Sequence, residues 1–168
     1  MKEAYIVSAV RTPGCKRAKG AFKDTLPLDL ISFILKSAVD KIKLDPNEID
    51  DVMLGCAFPE AEQGLNIGRN AAKIAGFPDK VSGATVNRFC ASGLEAIAGA
   101  AMRIMCGWSD VTIGAGVESM TYVPMGGNLP RPYPDLEKKQ IDLFISMGTT
   151  AENVAKRYNV TRQQQDEF

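Results

Sequence analysis

A chain of 168 residues with 45% hydrophobic content has the size and apolar supply for one globular domain, or a domain plus an appendage. Its 20 basic and 20 acidic residues cancel, so bulk charge offers no basis for partnership with nucleic acid or an anionic membrane. No run approaches the roughly 20 apolar residues that cross a bilayer, and the short apolar run behind Lys2 and Glu3 is no secretory core. Four cysteines, Cys15, Cys56, Cys90 and Cys106, lack the paired Cys-x-x-Cys spacing of a zinc site and the density of a disulfide scaffold. The composition predicts a protein of a reducing compartment, by default the cytosol, with no metal site.

The first predicted element is a strand at Tyr5 to Val10. Pro27 then opens a helix, with Leu28, Ile31, Leu35, Ala38, Val39 and Ile42 at helical spacing, and Pro46 closes that region. Val52 to Ala57 reads as a second strand. Asn66 caps a helix that runs through Ala75 and stops at Gly76, and Ala84 to Val86 form a brief third strand. From Ala91 to Met105 the only charges are Glu95 and Arg103, which predicts a helix buried on several sides. Val111 to Ile113 supply a fourth strand. Strand and helix alternate as in the parallel units of an α/β sheet.

After Glu118 six Pro and Gly residues (Pro124, Gly126, Gly127, Pro130, Pro132, Pro134) predict a loop-rich excursion. Two capping boxes follow, Thr149 with Glu152 and Thr161 with Gln164. The helix opened by the second box has about seven residues before Phe168, fewer than the roughly 12 that sustain an isolated helix, so the chain is expected to be cut rather than finished there.

The chemistry concentrates at Asn87-Arg88-Phe89-Cys90-Ala91-Ser92-Gly93. Here a cysteine lies between the end of an apolar strand and the start of a small-residue helix. Unpaired N–H groups and the dipole at a helix N-terminus favour a thiolate, but by only about 0.3 to 2 kcal/mol, so a base must assist. The chain contains no histidine. Cys15, Cys56 and Cys106 lack this setting and read as structural. Glu118 either orients a site or serves a loop, and Arg88 either steadies an anion or forms a surface ion pair. Gly114-Ala115-Gly116 lacks the third glycine of a phosphate loop. Met120, Met125 and Met147 fit either packing or the lining of an acyl pocket.

Val86-Asn87-Arg88-Phe89-Cys90-Ala91-Ser92-Gly93-Leu94 resembles the thiolases, the acyltransferases that form or cleave 3-ketoacyl-CoA. Arg11-Thr12-Pro13, Asn66-Ile67-Gly68-Arg69, Gly114 through Met120, and Met147 through Glu152 match thiolase segments in the same order. The resemblance implies an α/β thiolase fold, with a mixed sheet and a buried helix after Cys90. Residues 1–118 would form its N-terminal domain, without the last strand, and residues 119–168 the beginning of its loop domain.

It further implies that Cys90 accepts the acyl group and that its backbone N–H helps to bind the oxyanion. Met147 would lie beside the acyl chain, and Ser146 with Val86-Asn87-Arg88 leans towards degradative members. Coenzyme A thioesters would be the substrates, with no further cofactor, in a homodimer or homotetramer whose contact includes Ala84 to Asn87. The family's activating histidine, oxyanion-supporting asparagine and second cysteine lie in motifs absent here, so this chain is expected to turn over little by itself. Two alternatives are a non-catalytic thiolase-like protein that binds acyl-CoA or serves assembly, and a condensing enzyme of the ketoacyl synthase kind.

Overall fold

The computed structural model describes residues 2–168, which group by contact into a unit ending at Asn128 and a second unit, Leu129–Phe168. The first unit holds three helices, α1 (Pro27–Ile42), α2 (Ile67–Ile74) and α3 (Ser92–Met105), and three strands, β1 (Asp51–Gly55), β2 (Ser82–Val86) and β3 (Thr112–Gly116). The strands form one sheet in the order β2-β1-β3, parallel at both junctions, with Leu54 opposite Thr85 and Ala115. The α/β class thus stands, but the described strands show no antiparallel neighbour, and the sheet is parallel rather than mixed.

Side chains alternate across a strand, and β1 uses both faces. Val52 and Leu54 join Ile31, Leu35 and Val39 of α1, Ile67, Ala71 and Ala72 of α2, and Val81 in the main core. Met53 and Gly55 face α3 instead: Met53 approaches Gly99, and Gly55 lies under Ser92. On β3, Gly114 lies under Ile97 and Gly116 under Gly93, while Thr112 Oγ1 donates to the carbonyl of Ala100. Gly55 and Gly116, at the carboxyl ends of β1 and β3, therefore let the start of α3 settle directly on the sheet backbone, and Gly114 in mid-strand does the same further along the helix.

The helix boundaries follow local chemistry. Pro27 stands at the first helical position of α1, and Lys43 ends it in the left-handed region. Asn66 caps α2, its side chain accepting from the Arg69 N–H, and Gly76 follows at φ +84°.

Two expectations fail here. Tyr5 to Val10 forms no strand; Tyr5, Ile6 and Val7 are exposed, and the segment is tied by Ser8 Oγ donating to the Ala38 carbonyl and Lys41 Nζ to that of Ala9. An apolar run becomes a strand only where its N–H and C=O groups pair with a neighbouring strand, and the described ladders join β1 to β2 and β3 alone. α3, expected to be buried on several sides, buries only Ser92, Ala96 and Ala100 against the sheet. Leu94, Ile97 and Met102 of this helix stay exposed, because the described residues supply one packing layer and not two.

The second unit contains α4 (Pro134–Lys139), α5 (Met147–Tyr158) and α6 (Arg162–Glu167). The capping box at Thr161 and Gln164 forms as expected. That at Thr149 does not: Ser146 caps α5, its Oγ accepting from the Thr149 N–H at 3.1 Å, so Thr149 lies within the first turn.

Candidate functional site

The carboxyl end of β2 leads into a tight turn, Phe89–Ala91, that runs straight into α3. Three features fix its shape. Phe89 adopts φ +46°, left-handed backbone that costs a side-chain-bearing residue on the order of 1–2 kcal/mol. Asn87 Oδ1 accepts the Phe89 N–H at 2.8 Å. Ser92 Oγ, buried, accepts the Arg88 N–H at 2.9 Å and donates to the Phe89 carbonyl at 2.6 Å. Cys90 follows the strained residue and is exposed with a free thiol. The cysteine thus stands outside the sheet on a turn that its neighbours hold, a setting from which a thiol can act as a nucleophile.

Arg88 pairs with Glu95, Nε to Oε2 at 2.6 Å, with the guanidinium exposed and the carboxylate half-buried. The bond lowers the Glu95 pKa and raises that of Arg88. Of the two readings of Arg88, the surface ion pair is the one observed.

Glu118 has a definite role that its sequence context left open. It sits two residues beyond β3, where one carboxylate oxygen accepts the Ala57 N–H at 2.7 Å and the other accepts from Gln63 Nε2 at 2.7 Å. Gln63, fully buried, also donates to the Phe58 carbonyl at 3.0 Å and accepts the Ser119 N–H at 2.5 Å. The Phe58 ring packs against Phe89 with centroids 5.9 Å apart. Neither Gln63 nor Phe58 carries a local motif; only the tertiary path from β1 and β3 to the turn singles them out.

Cys56 is buried beside Glu118 with its Sγ 3.9 Å from Oε1, and burial followed by that negative charge pushes its pKa up to about 12. It is a packed thiol, as expected. Cys15 and Cys106 are exposed, contrary to the expectation of structural roles for them. Met147 is the first residue of α5, in the second unit, and is exposed. A cleft of about 410 Å³ in the first unit is lined by Arg11, Cys15, Lys16, Lys23, Glu118 and Thr121, among others. No helix among the described residues is long and apolar enough to cross a membrane.

Fold and turn together define an α/β protein that offers a cysteine at the carboxyl end of a parallel strand. Residues 4–168 match the thiolase N-terminal domain, and the chain belongs to the thiolase family. It is 48% identical to a 3-ketoacyl-CoA thiolase of Bacillus subtilis (strain 168), over all of this chain and 43% of that protein. It is 46% identical to the peroxisomal 3-ketoacyl-CoA thiolase 5 of Arabidopsis thaliana, over 98% of this chain and 36% of the relative. The crystal structure of the Bacillus anthracis acetyl-CoA acetyltransferase superposes with a TM-score of 0.80 at 37% identity, covering 96% of this chain and 43% of that one. The chain thus spans less than half the length of these relatives.

Proposed function

We propose that the protein to which this chain belongs transfers acyl groups between coenzyme A thioesters, with Cys90 carrying the acyl group as a thioester. The observation that supports this most is the exposed Cys90 sulfur on a strained turn held by Asn87 and Ser92. In the cleaving direction the Cys90 thiolate attacks the 3-keto carbon of a 3-ketoacyl-CoA. The bond between C2 and C3 breaks, and the electron pair leaves on acetyl-CoA, which takes up a proton. The acyl group then passes from Cys90 to the sulfur of a second coenzyme A. A covalent intermediate divides one difficult carbon–carbon step into two easier ones, and donors aimed at the developing oxyanion stabilise it.

In this reading the Cys90 N–H is one such donor and Met147 lines the acyl path. The coenzyme A thioesters serve as the substrates and no other cofactor takes part. The chain has no histidine to take the thiol proton, so full turnover needs a base from elsewhere in the protein. Thiolases whose names include 3-ketoacyl-CoA favour this substrate class. We place the protein in the cytosol and assemble it as a homodimer or homotetramer through β2, an outer strand of the sheet whose free edge suits pairing with a second copy. Incubation with acetyl-CoA, digestion and mass spectrometry test the central step. Acetyl on Cys90, absent from Cys90→Ser, supports it; acetylation of Cys90 no faster than of Cys15 or Cys106 contradicts it.

A further inference from the structure

We infer that Gln63 and Glu118 form a clamp that positions the Cys90 turn through Phe58. The inference rests on the reading of Cys90 as acyl carrier, since it concerns how that sulfur is held.

Three separate segments meet at one amide and one carboxylate. Glu118 follows β3 and binds the Ala57 N–H, just past the end of β1. Gln63 closes the loop after β1 and spends its whole side chain on cross-links: Nε2 to Glu118 and the Phe58 carbonyl, Oε1 to the Ser119 N–H. Both N–H donors and the carbonyl oxygen of this buried amide are engaged within the protein, which marks it as a part that holds others. What it holds is the backbone on either side of Phe58. The Phe58 ring in turn lies against Phe89, the residue at φ +46° that precedes Cys90.

A left-handed phenylalanine persists only where its surroundings over-determine it. Asn87 and Ser92 hold the turn from within. Phe58 supports it from outside, and the clamp fixes Phe58. These are positioning residues, because none touches the reacting sulfur. Misplacement of a reacting atom by about 1 Å costs on the order of a hundredfold in rate, so modest loosening at Gln63 is readable at Cys90.

The test is residue-resolved labelling of the 168-residue chain by iodoacetamide, with the exposed Cys15 and Cys106 as internal references. Phe58→Leu leaves the clamp intact and removes the ring contact; Gln63→Glu sets two carboxylates against each other. Each is expected to lower the Cys90 labelling rate relative to Cys106 at least threefold, with Cys15 relative to Cys106 unchanged. Adding Glu118→Gln to Gln63→Glu restores a donor facing an acceptor and is expected to recover the Cys90 ratio. Unchanged Cys90 ratios in Phe58→Leu overturn the inference, as does a Cys90 change in the double variant as large as in Gln63→Glu. Because iodoacetamide labelling needs no acyl donor, it decides the clamp even where acetyl-CoA fails to acetylate wild-type Cys90, a failure that counts against the acyl-transfer reading alone.

Discussion

Gly55 lies so close beneath Ser92 that a Cβ on it would stand 2.3 Å from the serine's carbonyl carbon and oxygen. The atoms it would meet are backbone, and the position of a Cβ is fixed by its own backbone, so neither can rotate away. The last residue of β1 thereby sets how closely the first turn of α3 approaches the sheet. Gly55→Ala is expected to destabilise the chain by about 3 kcal/mol or more, within the range of severe overpacking. Gly93→Ala, where a Cβ meets nothing within 4 Å, serves as control and should stay within about 1 kcal/mol of wild type. Urea denaturation of both variants checks the pair.

Ser92 itself is expected to matter for the turn more than for the helix. Ser92→Ala strips the Arg88 N–H of its acceptor and the Phe89 carbonyl of a donor at a buried position. The cost is expected to be about 1–3 kcal/mol. Labelling of Cys90 should slow relative to Cys106 in the same variant. Loss of stability with an unchanged labelling ratio would show that the turn does not depend on Ser92.

Cys56 predicts a dependence on alkaline pH. Its pKa in the folded chain is pushed up to about 12, above the ordinary thiol value near 9 that the unfolded chain regains. Between these values the unfolded state loses the proton that the folded state keeps. The thiol's contribution is therefore complete below about pH 9 and is lost as pH rises towards 12, by at most about 4 kcal/mol for three units. Stability of Cys56→Ala should fall less steeply than that of wild type between pH 8.5 and 10.5 in urea titrations.

At the other end of the sheet, Asp50 accepts the Asp110 and Val111 N–H groups at 2.8 and 3.1 Å, and these backbone bonds hold its pKa below the usual value. A depressed folded-state pKa means that this stabilisation is present above the unfolded value near 3.8 and lost as pH falls through the lower folded one. Asp50→Ala is expected to cost about 1–2 kcal/mol at pH 7 and to flatten the acid limb of a pH–stability curve.

What the sequence disclosed and what it concealed divide by range. Pro27, Asn66 and Thr161 act through residues within one helical turn, so their elements were readable in advance. Cys90 stood out because strand, cysteine and small-residue helix adjoin in the chain. Tyr5 to Val10 misled, since its apolar run says nothing of which edge it pairs with. The choice of Ser146 over Thr149 as cap escaped because both carry a hydroxyl and only the backbone decides which stands outside the helix. The link from Gln63 through Glu118 and Phe58 to Phe89 rests on side-chain bonds that span 55, 56 and 61 residues, which no local pattern records.

The most direct test is the rate of thioester formation at each cysteine when the chain is exposed to acetyl-CoA. Acetyl is expected on Cys90 at a rate at least tenfold above Cys15 and Cys106, labile to hydroxylamine as a thioester is, and lost in Cys90→Ser. Equal, slow acetylation of all three exposed cysteines would contradict it.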